Sequence, residues 1–357
     1  MAPTLLSIAL ATPEFRLRAD EAEARLREVF AAIGEDPELV TQVVTNSGIG
    51  GRYLARPPGY YLSERSLTAR NRTYGEVARE LGERAAREAL SQAGVAPAEV
   101  DLVIDTSCTG VMIPALDAHL ANALGLRPDV RRMPLTEAGC AAGATALAFA
   151  SDYLQVLDPP GRTPVALIVS LELPSLTVQL DDPRRANLIS AAIFGDGCAA
   201  AVLAERAPPA PSVEVLAHRA HLLPGTEDVM GFELGTQGFQ IVLSQRIPLL
   251  VKRQLRGAVD AFLEAQGVSL SELKFFALHP GGTKVLDNVR DVLGLAEEQV
   301  AASRACLAEF GNLSSASVFA ALRELRARDE LRPGELGLLV AMGPGFTIEL
   351  GLLRGVG

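Results

Sequence analysis

Between Leu102 and Ser170 the chain reads Leu102-Val103-Ile104-Asp105-Thr106, then Leu116-Asp117-Ala118-His119-Leu120-Ala121-Asn122-Ala123-Leu124, and closes on Val165-Ala166-Leu167-Ile168-Val169-Ser170. The outer two runs are short, apolar and bounded by turn formers, which predicts buried strands, whereas the middle run has apolar side chains at helical spacing. An alanine-rich run from Ala144 to Leu154 adds a strong helix former before the closing strand. The same alternation continues outside this window. Ala19–Ala32 and Tyr74–Ala93 read as helices, and Leu5–Ala11 reads as a first strand. Strands that are apolar on both faces and alternate with helices predict an α/β protein whose sheets are covered on both sides.

At 357 residues the chain is long enough for two domains or one large duplicated unit. The clearest seam is Ala204–Ser212, AERAPPAPS, where three prolines and no periodicity mark a linker. It separates residues 1–204 from residues 213–357, and both parts carry α/β patterns. No sequence repeat relates them, so a duplication is permitted rather than shown. Near the end, Leu336–Met342 and Phe346–Leu353 are apolar strands joined by Gly343-Pro344-Gly345, which predicts a hairpin.

With 43 acidic and 33 basic residues the formal net charge is −10. That balance argues against a nucleic-acid partner, whose phosphates demand a basic footprint. Apolar runs such as Val165–Val169 are far shorter than the ~20 residues a membrane span needs. Leu5–Ala11 has neither a basic lead-in nor a cleavage site, so a first strand is expected there rather than a signal peptide, and a cytoplasmic location with it. The four cysteines, Cys108, Cys140, Cys198 and Cys306, show no framework spacing, which suits a reducing compartment. None of the four histidines stands at metal-ligand spacing to a cysteine or a carboxylate cluster, and no metal is expected.

Three places can carry chemistry. Thr136-Glu137-Ala138-Gly139-Cys140-Ala141-Ala142-Gly143 puts Cys140 at the start of the alanine-rich helix, where unpaired N–H groups and the helix dipole favour a thiolate. The bland reading is a cysteine packed among alanines. Phe275-Phe276-Ala277-Leu278-His279-Pro280-Gly281-Gly282 delivers His279 to the carboxyl end of a strand, the side on which open α/β sheets bind ligands. A histidine that only holds a turn is the alternative. In Gly311-Asn312-Leu313-Ser314-Ser315-Ala316-Ser317, Ser314 or Ser315 is expected to cap the following amphipathic helix and leave Asn312 outside with a free amide.

Cys140, His279 and Asn312 are thus each expected at an exposed element end. Together they suit acyl-thioester chemistry, with the thiolate as nucleophile, the imidazole as its partner, and imidazole and amide N–H groups as an oxyanion cradle. The same order with similar spacing occurs in papain-like proteases. Those enzymes surround their cysteine with glutamine, a second cysteine and an aromatic residue, whereas Cys140 lies in an alanine-glycine run. A thiol hydrolase nevertheless remains one of the classes open to such a set.

Five blocks carry a resemblance: EAGCAAG at 137–143, FGDGCAA at 194–200, LHPGGTKVLD at 278–287, GNLSSASV at 311–318 and AMGPGFTIE at 341–349. In that order they resemble the type III polyketide synthases, the chalcone-synthase-like family. The resemblance implies a thiolase-like αβαβα fold built from two related halves, and a homodimer in which Ile113 reaches across to the neighbouring subunit. It implies that Cys140 takes acyl groups from coenzyme A thioesters. His279 and Asn312 would stabilise the enolate left when malonyl-CoA loses carbon dioxide. Repeated decarboxylative condensation and cyclisation to a pyrone or phenolic product would follow. Malonyl-CoA and acyl-CoA are substrates here, and no cofactor is implied. The ketoacyl-carrier-protein synthases that start fatty acids also use Cys, His and Asn and stand as the alternative, although their histidine and asparagine loops read differently.

By the same resemblance Phe239 is one of two aromatics gating the cavity, and Val178 stands in place of the other. A smaller side chain there would widen the passage and admit a bulky or medium-to-long acyl starter. Cys108, Thr109 and the Gly343-Pro344-Gly345 turn are expected around the substrate. Cys198 and Cys306 are expected to be structural. The family binds coenzyme A phosphates through basic residues in a segment that corresponds to Leu39–Asn46, which carries no charge here. Arg52 and Lys284 are therefore the candidate phosphate ligands, and an acyl carrier protein is a second candidate donor of the starter.

Overall fold

The computed structural model describes every residue except Met1, Glu35 and Asp158. Its first half runs β1 (Thr4–Ala11), β2 (Phe15–Arg18), α1 (Ala19–Ala31), α2 (Pro37–Ser47), β3 (Gly51–Leu54), α3 (Pro58–Ser63), α4 (Leu67–Ala93), β4 (Leu102–Ser107), α5 (Leu116–Leu124), β5 (Arg131–Thr136), α6 (Ala142–Val156), β6 (Val165–Glu172), α7 (Arg185–Ile193) and β7 (Gly197–Ala204). The second half runs β8 (Ser212–Leu222), β9 (Met230–Gly235), β10 (Gly238–Leu243), α8 (Ile247–Glu264), β11 (Leu273–Leu278), α9 (Thr283–Leu293), α10 (Glu297–Phe310), α11 (Ser317–Ala327), β12 (Leu336–Gly343) and β13 (Thr347–Val356). α4 begins before the Tyr74 start read from the apolar spacing. Ser66 caps it by accepting from the Ala69 N–H at 3.2 Å, and its first turns are polar.

Nine strands form one sheet in the order β11-β12-β13-β8-β1-β7-β6-β4-β5. Outward from β1 the strands are β7 antiparallel, β6 antiparallel to β7, then β4 parallel to β6. Outward from β8 they are β13 antiparallel, β12 antiparallel to β13, then β11 parallel to β12. The two progressions match strand for strand, and β5 extends the first half alone. β1 and β8 meet antiparallel at Thr4 and Glu214, where the two half-sheets join.

Period-two alternation sends each strand's side chains into two different cores. Ile104 and Ile168 of the first half, with Phe275 and Leu339 of the second, share a core with Leu147 of α6 and Phe319 and Leu322 of α11. Val103, Leu167 and Val202 point the other way, onto Leu81 and Ala85 of α4 and Leu120 of α5. Phe276, Leu338 and Val340 pack on Leu255 and Phe262 of α8 and on Leu286 and Val289 of α9. The result is five layers, αβαβα, as the thiolase-like resemblance implied. Each fully buried side chain of this size contributes about 1.5–3 kcal/mol. Among the described residues no helix is long and apolar enough to cross a membrane.

Candidate active site

Cys140 lies in a 3-10 turn, Gly139–Ala141, that runs directly into α6. Two glycines permit the close packing around it. A Cβ on Gly343 would sit 2.6 Å from the Ala141 Cβ, so the β12–β13 turn can press on the Cys140 turn only with glycine there. A Cβ on Gly143 would sit 2.1 Å from the Ser315 carbonyl oxygen, so α6 meets the Ser314–Ala316 turn backbone to backbone. Cys140 is thereby clamped between the two loops that follow β12 and α10.

His279 directly follows β11, and its N–H continues the ladder onto the Val340 carbonyl at 2.8 Å. Asn312 follows α10 after Gly311, whose φ of +71° turns the chain. Its N–H donates to the Ile193 carbonyl at 2.8 Å and its own carbonyl accepts from Gly195 N–H at 3.1 Å, in a β-bridge with Phe194. The Asn312 Oδ1 accepts from the Ser314 N–H at 2.8 Å and from the Ser317 hydroxyl at 3.3 Å. Those donors can face only the amide oxygen, so the NH2 group is turned away from them. From there it makes a long bond, 3.4 Å, to the Gly281 carbonyl and lies within hydrogen-bonding reach of the Cys140 sulfur, whose ionisation it favours.

All three side chains line one cavity of about 830 Å³. They are not exposed, as their places at element ends had suggested. Cys140, His279 and Asn312 are 8, 4 and 2 % exposed, because the layers on both sides close over the strand ends. Cys108, Thr109, Phe239, Pro344 and Lys284 line the same cavity. Gly343 and Gly345 do not, although Gly343 shapes it from behind through Ala141.

Three expectations are corrected. Val178 does not line the cavity; it packs against the Phe30, Val40, Leu188 and Ala191 cluster, so its size says nothing about the passage. Phe194, Phe232 and Phe346 line the cavity with Phe239, and the Phe239 ring meets Phe232 edge-on at 5.6 Å. Arg52 is buried next to Asp196, with burial lowering its pKa to about 10, and is turned away from the cavity mouth. Ser314 and Ser315 do not cap α11. Their hydroxyls donate to Glu172 at 3.3 and 2.7 Å instead.

Glu172, at the end of β6, is the site residue that sequence reasoning missed. It is fully buried and also accepts from the Thr109 hydroxyl at 2.8 Å and the Cys108 N–H at 3.2 Å. Burial pushes its carboxyl up, and the hydroxyl and amide donors around it oppose that push. The Cys108 sulfur lies 3.6 Å from the carboxylate, and burial raises that thiol as well. Cys140 donates to the Ser314 hydroxyl at 3.5 Å. Burial pushes the Cys140 thiol up to about 12, against hydrogen bonds from Ser314 and Asn312, and holds the His279 imidazole down at about 4. The Nδ1 of His279 is buried without a hydrogen-bond partner among the described residues. Cys198 and Cys306 are buried in β7 and α10, outside the cavity.

The set has the parts for acyl transfer: a thiol at a helix N-terminus, an imidazole, and an amide N–H free to donate into the cavity. Comparison with known proteins gives the same picture. Residues 54–207 match the family model for the N-terminal domain of chalcone and stilbene synthases, and residues 214–357 match the model for their C-terminal domain. The chain is 38% identical to a 1,3,6,8-tetrahydroxynaphthalene synthase of Streptomyces peucetius subsp. caesius, over 98% of this chain and 93% of that one. It is 34% identical to a phloroglucinol synthase of Pseudomonas fluorescens, over 87% and 88%. The crystal structure of the 1,3,6,8-tetrahydroxynaphthalene synthase of Streptomyces coelicolor, a bacterial type III polyketide synthase, superposes with a TM-score of 0.93 at 30% identity over 99% of each chain. A ketoacyl-carrier-protein synthase is not favoured. With both halves matched, the chain belongs to the chalcone and stilbene synthase family, as a type III polyketide synthase of the bacterial kind.

Proposed function

We propose that the chain condenses malonyl-CoA units onto an acyl group carried on Cys140 and releases a cyclised, hydroxylated aromatic or pyrone product. The observation that carries this is the convergence of Cys140, His279 and Asn312 on one cavity. The Cys140 thiolate attacks the starter thioester and coenzyme A leaves. Malonyl-CoA then loses carbon dioxide, and the electron pair of the broken bond becomes an enolate. The His279 imidazole and the Asn312 amide donate to its oxygen, where fixed donors lower the barrier most. The enolate carbon attacks the Cys140 thioester, the longer chain leaves on coenzyme A, and the cycle repeats. The electrons come from the carboxylate itself, so the reading needs no redox or metal cofactor.

Around the growing chain, Thr109, Phe194, Phe239 and Pro344 supply walls, and Cys108 supplies a second thiol. Lys284 is assigned to the coenzyme A phosphates. Residues 1–204 and 213–357 are read as the two related halves. A homodimer is part of this reading: in the loop after β4, Val111 lines the cavity while Ile113 is 93 % exposed and free to meet a second subunit. The cytoplasm, where coenzyme A thioesters are made, is the assigned location.

The test is mass spectrometry of products after incubation with malonyl-CoA and acyl-CoA starters of two to sixteen carbons. New polyketides are expected. Coenzyme A release without a new carbon–carbon bond would overturn the reading in favour of a hydrolase.

A further inference from the structure

α2 turns Leu39, Gln42, Val43 and Asn46 toward the cavity, and none of them carries a charge. Apart from His279, the basic side chains that line it are Arg185 and Lys284. They stand in the first turns of α7 and α9. Both are exposed, and among the described residues neither is joined to a carboxylate. Arg184, one residue earlier, is different: Asp182 holds its guanidinium through contacts of 2.7 to 3.0 Å.

α2 lies between the two helices that bear these cations. The Thr283 hydroxyl donates to the Ser47 carbonyl at 2.6 Å, which fixes the first turn of α9 to the end of α2. Leu188 and Ala191 of α7 pack with Val40 of α2. An arginine and a lysine flanking the uncharged face of α2, with a buried thiol inside and Glu137 the one acid among the described lining residues, suit a ligand that reaches the thiol at one end and is multiply anionic at the other. Guanidinium and ammonium groups both bind phosphate oxygens, and a helix N-terminus adds to the attraction.

We propose that Arg185 and Lys284 together grip the phosphates of the thioester substrate, so that the cationic contact is made from α7 and α9 and not from α2. This rests on the condensation reading and deepens it. The ligand chemistry is a phosphorylated pantetheine thioester, whether borne by coenzyme A or by a carrier protein's prosthetic arm.

The test compares the wild type, Arg185→Gln, Lys284→Gln and the double variant, with Arg184→Gln as the control for charge alone. KM is measured with malonyl-CoA and with malonyl-pantetheine, which has the same reacting end and no phosphate. Each single variant is expected to raise the KM for malonyl-CoA about tenfold, the double variant further, and the KM for malonyl-pantetheine not at all. Arg184→Gln is expected to move neither. A double variant with unchanged KM for malonyl-CoA and for carrier-borne starters alike would overturn the proposal. So would an equal rise for both thioesters, since the cations would then serve the malonyl carboxylate or the fold. Starters loaded on a phosphopantetheinylated carrier protein form the second arm. A rise confined to them supports the grip and makes the carrier its source. Where the KM for malonyl-CoA does rise, calorimetric binding of free coenzyme A reads the same contact without turnover. A wild type that binds coenzyme A but makes no product would overturn the condensation reading and leave the grip standing; equal binding by the double variant would overturn the grip.

Discussion

The Cys140 thiol donates to the Ser314 hydroxyl across 3.5 Å, and that hydroxyl in turn donates to Glu172 at 3.3 Å. Once the thiol has lost its proton, the Ser314 O–H can turn to the thiolate and donate beside the Asn312 amide. A hydrogen bond to a charged group contributes about 1.5–3 kcal/mol. Ser314→Ala is therefore expected to raise the apparent pKa of Cys140, read from the pH dependence of iodoacetamide inactivation, and to slow starter loading about tenfold or more. An unmoved profile would show that Ser314 only fills space.

Burial is the largest influence on both groups, holding Cys140 near 12 against the relief of the Ser314 and Asn312 hydrogen bonds and His279 near 4. A thiolate and an imidazolium facing the same cavity relieve one another, and the N-terminus of α6 favours the thiolate further. The sign follows. Without the imidazole, the thiol keeps the burial penalty and lacks the relief, so its ionisation moves to higher pH. Inactivation of the wild type is expected to level off at a lower pH than inactivation of His279→Ala, whose rate should still be climbing above pH ~9. Coincident profiles would remove His279 from the ionisation of Cys140.

The α/β layering was legible because it lives in local periodicity: β6 is apolar at every position from Val165 through Val169, and such a strand has to be covered on both faces. Cys140, His279 and Asn312 were legible because each sits where an element starts or stops. Glu172 was not. Its donors, Cys108, Thr109, Ser314 and Ser315, come from segments more than sixty residues away, and only the packing of β4, β6 and the Ser314 turn joins them. The one local hint is an acid closing an otherwise apolar strand. Val178 was misplaced for a related reason. Whether a residue after β6 faces the cavity depends on how α7 returns over it, and Phe194 is placed by its bridge to Asn312, 118 residues later. For Arg52 the sequence shows a cation in a short strand and not the face it takes, which is inward beside Asp196.

Two glycines in helices should behave in opposite ways. Gly143 lies in α6 with the Ser315 carbonyl where a Cβ would go, 2.1 Å away, so backbone has to move in Gly143→Ala. Gly257 lies exposed in α8 with nothing within 4 Å of its Cβ position. Gly257→Ala is expected to stabilise the protein by about 0.5–1 kcal/mol through helix propensity. Gly143→Ala is expected to destabilise it by about 1–3 kcal/mol as an overpacked contact and to slow Cys140 alkylation through displacement of the turn. Urea denaturation of the two variants checks both signs. Equal stabilities would mean that α6 and the Ser314 turn slide apart without cost.

Asn312 carries two separable duties. Its Oδ1 holds the Ser314 N–H and the Ser317 hydroxyl, which organises the turn beside Cys140, while its NH2 group is the donor assigned to the enolate. Asn312→Ala removes both and is expected to abolish malonyl-CoA decarboxylation, at a cost of about 10²–10³ in rate. Asn312→Asp keeps the acceptor and removes the donor. It should lose decarboxylation to the same degree while remaining closer to the wild type in thermal stability, because the turn retains its anchor. Starter loading onto Cys140, followed by the mass of the acylated protein, should survive better than decarboxylation in both variants. Full decarboxylation by Asn312→Asp would remove the amide from the chemistry and leave it the structural duty alone.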